Sequence, residues 1–342
     1  MNTVLRLTAG ERRELFVAAA EQLGLGATVV EKDFWVCWTL RELFALPGAR
    51  EHLIFKGGTA LAKIWRAIRR FSEDVDVSLS REWLGFAGPL DPERAPSLSQ
   101  RKKRLDGLVA ACEAKVSDEL RPALAARISA ALGDRGWAVE SDPTDAQTLI
   151  FRYPSAFAEA GEATYIRRHV KIEGGARADV WPTEDRTLRP YVAEAFPAGV
   201  PDAEVSVRAL SIERTFWEKA TILHAEAHRR KDKPAPTRYS RHYADLAALA
   251  DHEAGRRALA REDLRARVVA HKQVFFADRF AHYETAAPGS FRLIPNDDRL
   301  PGLERDYRDM REMFFEEPPS WAQVVDRLRR LETQINRPNP RS

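Results

Sequence analysis

The sequence predicts an α+β protein: a mixed sheet flanked by helices, followed by an all-helical lobe. Three observations carry this reading. A short apolar run at 52–55 stops at Lys56-Gly57-Gly58 and gives way to helical spacing, the order strand, glycine turn, helix. Residues 74–79 (DVDVSL) alternate strictly between acidic or polar and apolar, the period of a half-buried strand. Beyond Ser211 the apolar spacing is helical almost to the end of the chain.

Taken in order, Thr8-Ala9-Gly10-Glu11 has the form of a capping box for a helix to about residue 23. The stretch 29–44 (VVEKDFWVCWTLRELF) has apolar residues at helical spacing. After the strand and glycine turn, 59–68 reads as a helix with Leu61, Ile64, Trp65 and Ile68 on its apolar side. In 74–79, Val75, Val77 and Leu79 share the core face, while Asp74, Asp76 and Ser78 share the other. A loop rich in proline and charge at 89–96 leads to two amphipathic helices at 99–133, inserted before the sheet resumes. Strands are expected at 148–153 and 165–173; in the second, Val170 and Ile172 take the core parity and Lys171 and Glu173 the opposite one.

Ser211 is placed to cap a helix over 212–229. A basic, proline-containing loop follows at 230–240, then helices at 241–251, 255–275, 302–315 and 320–335 and a frayed tail at 336–342. This divides the chain into a domain over 1–205, with its helical insertion at 99–133, and a helical domain over 206–342, joined by a loop before Ser211.

Composition bounds the possibilities. With 44% hydrophobic residues in 342, the chain can bury a substantial core. The balance of 54 Lys+Arg against 51 Asp+Glu leaves a net charge of +3, which selects no class of partner. Cys37 and Cys112 alone make no disulfide framework and fit a reducing compartment. Charges at Arg6, Glu11, Arg12, Arg13 and Glu14 interrupt any secretory apolar segment, and no run approaches the roughly 18 apolar residues of a membrane span. The expectation is a cytoplasmic protein with no membrane association. Neither a Walker loop, a G-x-G-x-x-G fingerprint nor zinc-ligand spacing is present.

Two carboxylates two apart on a strand, Asp74 and Asp76, project side by side and suit one or two divalent cations, with hard oxygen donors favouring magnesium. The same pattern also describes an exposed acidic strand face. A strand ending in Gly57-Gly58 and opening a helix at Thr59 lets phosphate oxygens approach bare backbone N–H groups, although an ordinary turn has the same sequence. Lys56 is a second phosphate candidate. Lys219 flanks the apolar stripe of Ile212, Phe216, Ala220, Leu223 and Ala227, where it either snorkels to solvent or carries its ammonium inward. The loop 228–242 holds Arg229, Arg230, Lys231, Lys233, Arg238 and Arg241 against Asp232, a basic patch for an RNA backbone or nucleotide phosphates, or else a solvated loop.

The segment FKGGTALAKIWRAIRRFSEDVDVSL at 55–79 resembles the first motif of the AbiEii/AbiGii toxin group within the DNA polymerase β-type nucleotidyltransferase superfamily. VKIEGGAR at 170–177, SIERTFWEKATIL at 211–223 and YSRHYADLAAL at 239–249 agree with it, as does EKDFW at 31–35 more weakly. The resemblance spans roughly 31–250 and implies a polymerase β-type core. It implies that Asp74, Asp76 and Glu173 hold magnesium, one or two ions with manganese able to substitute, and that Glu173 helps deprotonate the acceptor hydroxyl. Glu173 is preferred over Asp179 because it leaves a convincing strand beside Lys171. The resemblance further implies that Lys219 neutralises triphosphate charge, and that Lys56, Gly57, Gly58, Thr59, Ser72, Lys171 and Asp245 complete the nucleotide-binding set. The implied activity is transfer of a nucleoside monophosphate from an NTP to an RNA acceptor, such as a tRNA acceptor end, with release of pyrophosphate. The implied partners are NTP, RNA and a cognate antitoxin. A metal-dependent phosphoesterase, or a non-catalytic protein that binds nucleotide or a partner on the same scaffold, would use the same residues.

Overall fold

The alternation at 74–79 produces a central strand of a seven-stranded mixed sheet among the described residues of the computed structural model. All residues are described except 135, 158–166, 231, 234–235 and 338–342. Two compact units form, Met1–Ile64 with Phe71–Leu210, and Trp65–Arg70 with Ser211 onward.

In the first unit, helices α1 (Asn2–Leu5), α2 (Ala9–Leu23), α3 (Ala27–Phe44) and the single turn α4 (Ala49–His52) precede strand β1 (Leu53–Lys56). Helix α5 (Gly57–Lys63) and strand β2 (Val75–Leu79) follow, then helices α6 (Leu98–Ala114) and α7 (Arg121–Leu132). The sheet continues with β3 (Ala138–Asp142), β4 (Asp145–Arg152), β5 (His169–Gly175), β6 (Thr183–Leu188), the short helix α8 (Tyr191–Ala195) and β7 (Val205–Leu210). The strand order is β3-β4-β5-β2-β1-β7-β6. The β2–β5 and β1–β7 pairs are parallel and the others antiparallel. The α+β class expected from the sequence is the class observed.

Helix α2 starts as its sequence dictates: Thr8 Oγ1 accepts from the Glu11 N–H, and Glu11 returns a carboxylate to the Thr8 N–H at 2.7 Å. Helix α3 is apolar around most of its circumference and is correspondingly buried. Trp35 stacks on Tyr153 with ring centroids 5.3 Å apart and meets Trp38 edge to face at 5.5 Å, which ties the helix to the end of β4.

Several elements depart from the sequence reading, each for a physical reason. Helix α5 ends at Lys63, not Ile68, because Arg66 takes a left-handed φ of 49° and the following residues serve the second unit. There Arg70 forms a β-bridge with Phe314, and the buried Ala67 and Ile68 satisfy the apolar pattern without a helix. The two helices expected at 99–133 form one helical run, α6 and α7 joined by a π-helical stretch at Lys115–Leu120 just before Pro122. The strand expected at 165–173 starts at His169; its first two positions lie outside the described residues. Strands β3, β6 and β7 are additions. The edge strand β6 (TEDRTL) is largely polar and has no apolar alternation to announce it. By contrast β7, in place of the loop expected before Ser211, buries Val205, Val207 and Ala209 in alternation.

The second unit contains α9 (Ile212–Ala227), α10 (Ser240–Asp251), α11 (Glu253–Leu259), α12 (Glu262–Phe275), α13 (Leu300–Asp309) and α14 (Trp321–Asn336). Ser211 caps α9 through the Arg214 N–H, and Ser320 with Gln323 forms a capping box on α14. The helix expected over 255–275 is divided at Arg261, whose φ and ψ of −104° and 70° are not helical. Of the expected tail, 338–342 lies outside the described residues. No described helix is long and apolar enough to cross a membrane.

Truncating the centre of the aromatic cluster tests this account of the first unit. Trp35→Ala is expected to destabilise it by about 3–5 kcal/mol through the lost transfer energy and the cavity left behind, read as a lower denaturation midpoint in guanidinium.

Candidate active site

The sheet register assembles a row of polar residues from distant parts of the chain. Lys56 on β1 is opposite Asp76 on β2, Asp76 is opposite Glu173 on β5, and Glu173 is opposite Thr148 on β4. Directly paired residues share a face, so one row crosses four strands. Strand parity brings Asp74 and Lys171, each two residues earlier in the chain, to that same face.

Gly57 makes the close approach of the turn possible. Its φ is +80°, and a Cβ there would stand 1.9 Å from Asp76 Oδ2 and 2.6 Å from Asp76 Cγ. Only glycine lets β1 turn into α5 against that carboxylate. No side chain caps the N-terminus of α5, which Gly57 and Gly58 open. Thr59 is fully buried and uses its hydroxyl within the protein, donating to the Asp74 carbonyl at 2.6 Å and lying 3.0 Å from Ser72 Oγ. Thr59 and Ser72 thus brace the turn that delivers Asp74. Gly174, beside Glu173, is constrained as well: a Cβ there would meet the Gln147 carbonyl of β4 at 2.7 Å.

The electrostatics follow from this crowding. The Asp76 pKa is pushed up to about 6, first by burial, with Lys56 pulling against it and the negative charges of Glu173 and Asp74 and a hydrogen bond with Glu173 adding to the rise. Asp76 keeps a minor part of its surface exposed, and its carboxylate lies among protein atoms. Lys171 donates to Glu173 at 2.5 Å; burial opposes its charge, but that bond and the charges of Glu173 and Asp74 outweigh burial and raise its pKa. Carboxylate oxygens held together against their mutual repulsion are the donors a hard divalent cation takes. With the side chains as they stand, no group of three or more His, Cys, Asp or Glu among the described residues is arranged to hold a metal ion. Glu173 instead engages Lys171. The donor chemistry of Asp74, Asp76 and Glu173 fits a divalent ion.

The second unit holds Lys219 and Asp245. Lys219 Nζ pairs with Asp245 Oδ2 at 2.8 Å, and Arg70 grips the same carboxylate with Nε and Nη2, each at 2.8 Å. Burial works against the Asp245 charge, but Arg70 and Lys219 overcome it and hold its pKa far below the ordinary range. Burial depresses the Lys219 pKa, opposed by Asp245. His242 Nδ1 lies 3.5 Å from Lys219 Nζ, and burial followed by the charges of Lys219 and Arg241 keeps its ring neutral. A cavity of about 230 Å3 in the same unit, lined by Ala67, Ile68, Tyr307, Phe314 and Pro318 among others, reaches the Arg70–Asp245 pair.

Other candidates are differently engaged. Asp179 is buried, accepts from the Val180 N–H at 3.0 Å and faces Arg81 at 3.9 Å. In the basic loop, Arg229 pairs with Glu226 and Arg230 with Asp232, while Lys231 lies outside the described residues. Sequence reasoning missed Arg70: its partner is 175 residues away, and in the run Arg66, Arg69, Arg70 no spacing singles it out.

Acids on adjoining strands of a mixed sheet, with a glycine turn pressed against one of them, suit an enzyme that handles phosphate groups with a divalent cation. The sequence pattern described as "Nucleotidyl transferase AbiEii toxin, Type IV TA system" matches residues 38–327, and the chain belongs to this family. Among solved structures it is similar to MenT4, the nucleotidyltransferase toxin Rv2826c from Mycobacterium tuberculosis H37Rv, at 17% identity and a TM-score of 0.43, covering 96% of this chain and 98% of that one. No curated protein sequence matches it. Membership makes the chain a nucleotidyltransferase toxin, with a nucleotide substrate and an antitoxin partner. Enzymes of this kind generally work with a divalent metal ion.

The raised Asp76 pKa yields a stability test in metal-free buffer. A carboxyl whose folded pKa lies near 6, above its ordinary 3.8, favours the fold while protonated, and that contribution disappears as pH rises through about 6. Asp76→Asn is therefore expected to raise Tm by several degrees at pH 7.5 and to leave it unchanged at pH 4. Equal Tm values for variant and parent at both pH values would show that the carboxylate is not strained.

Proposed function

We propose that this toxin transfers a nucleoside monophosphate from an NTP to an RNA acceptor, a tRNA acceptor end in the first instance, with magnesium as the metal and pyrophosphate as the leaving group. The observation that carries the reading is the register of Asp76 against Glu173 on parallel strands, with Gly57 closed against Asp76. In this reading Asp74, Asp76 and Glu173 hold the metal. Bound there, a divalent ion supplies Lewis-acid neutralisation of the triphosphate and activation of the attacking oxygen.

The chain's own residues do the rest. The acceptor hydroxyl oxygen forms a bond to the α-phosphorus as the bond to the β-phosphate oxygen breaks, and the acceptor proton passes to Glu173. Gly57 and Gly58 leave the α5 N-terminus open to phosphate oxygens. Lys56, opposite Asp76, and Lys171, beside Glu173, supply positive charge on the acidic face. Thr59 acts indirectly, by holding the Asp74 carbonyl, with Ser72 against the Thr59 hydroxyl. In this reading Lys219 is the cation for the triphosphate, and its bond to Asp245 fixes it in place and opposes the effect of burial on its charge. Asp245 is then a positioning residue.

The test is incubation of the purified protein with magnesium, each labelled NTP in turn and bulk tRNA. Stable addition of label to RNA is expected in the parent. Asp74→Ala and Asp76→Ala are each expected to lower the rate at least about 1,000-fold, the several kcal/mol that a metal-held site contributes, with the fold retained by circular dichroism. Label incorporation at parental rates in both variants overturns the site, and shortened RNA without incorporation replaces transfer by hydrolysis.

A further inference from the structure

The tripeptide Glu31-Lys32-Asp33 in α3 has no place in the chemistry above, yet all three side chains are almost completely buried, at 1%, 1% and 2% exposure. Their partners differ. The Glu31 carboxylate accepts from the Ala156 N–H at 2.6 Å and from Ser155 Oγ at 2.8 Å. Asp33 accepts from the Tyr191 N–H at 2.6 Å and pairs with Lys63, the last residue of α5, at 2.9 Å. Lys32 alone reaches the strands that carry the carboxylates. Its Nζ donates to the Arg167 carbonyl at 2.7 Å and to the His169 carbonyl, and it forms an ion pair with Glu73 at 3.3 Å.

An ammonium has three N–H donors, and here three acceptors on two segments surround it. His169 is the first residue of β5, four before Glu173; Glu73 immediately precedes Asp74. We propose that Lys32 is a positioning residue for the acidic face, tying the start of β5 to the residue before Asp74 and so setting how Asp74 and Asp76 stand relative to Glu173. The proposal rests on the reading of these three carboxylates as the metal-holding set.

Stability alone is a poor account of Lys32. A buried ion pair is often no more stabilising than an apolar residue of similar volume, because both charges must leave water. Burial indeed depresses the Lys32 pKa, opposed by Glu73 and then by Asp74, so the Asp74 charge is felt at this site. An apolar side chain in α3 would fill the space. It would not hold two backbone carbonyls and a carboxylate at one point.

The full-length variants Lys32→Met and Glu73→Gln test this beside Asp76→Ala. Manganese binding is read by electron paramagnetic resonance of the free ion, per folded molecule, and kcat and the KM for NTP are measured separately. Lys32→Met is expected to weaken manganese binding at least tenfold and to lower kcat while the KM for NTP changes less than threefold. Glu73→Gln is expected to shift both in the same direction by a smaller factor, and it decides the matter if Lys32→Met fails to fold. A role in stability only would lower Tm and leave manganese affinity per folded molecule and kcat intact, and that result overturns the proposal. Parental manganese binding and turnover in Asp76→Ala overturns the metal reading beneath it. An inactive Asp76→Ala beside Lys32 and Glu73 variants with parental manganese affinity and kcat overturns only the positioning role.

Discussion

The first unit is organised around electrostatic repulsion. Asp74, Asp76 and Glu173 share one face of the sheet, and the Asp76 pKa is raised to about 6 first by burial and then by the charges of its two acidic neighbours. Such crowding persists only if the backbone around it cannot relax. The surroundings supply that rigidity. Gly57 closes against the Asp76 carboxylate where no other residue fits, Thr59 holds the Asp74 carbonyl, and the place of a side chain at Gly174 is taken by the Gln147 carbonyl of β4. Lys56 at the β1 end of the row and Lys171, two residues before Glu173 on β5, moderate the repulsion without removing it.

What could be read from the sequence follows from the range of each interaction. Alternation in 74–79 and in 170–173 placed the acids on the correct face, because side-chain parity is a local property of the chain. The Thr8 and Ser211 caps were legible for the same reason, each being closed within three residues. Register was not: that Asp76 stands opposite Glu173 depends on a parallel pairing across almost a hundred residues, which no local pattern encodes. Helix α5 shows the opposite failure. Its apolar spacing ran on to Ile68, but Arg70 is held by Asp245 and by a bridge to Phe314, and these distant partners determined the conformation of 65–70. Strand β6 has almost no apolar face and sits at the sheet edge, so neither period nor composition marked it.

EKDFW was the faintest of the sequence matches and became one of the more informative segments. Three consecutive charged residues in a helix ordinarily signal a solvated face, and the flanking aromatics alone argue for burial. Successive helical positions diverge by about 100°, so Glu31, Lys32 and Asp33 address different segments of the same unit from one turn of α3. Each buried charge is matched by backbone groups or by an opposite charge, as burial of ions requires. A sequence gives the charges but not their partners, and the partners distinguish a brace from a surface.

The second unit handles buried charge in the opposite way. Asp245 is satisfied by the Arg70 guanidinium and the Lys219 ammonium together, and its pKa falls instead of rising. A carboxylate with both oxygens occupied by cations is poorly suited to bind a metal, whereas the charge of the lysine it holds is opposed by burial and supported by the carboxylate. The acids of the first unit gain from a cation; Asp245 already has two. The same residue type is therefore crowded among like charges in one unit and clamped between cations in the other, and burial, partner charge and hydrogen bonding decide the direction in which each pKa moves.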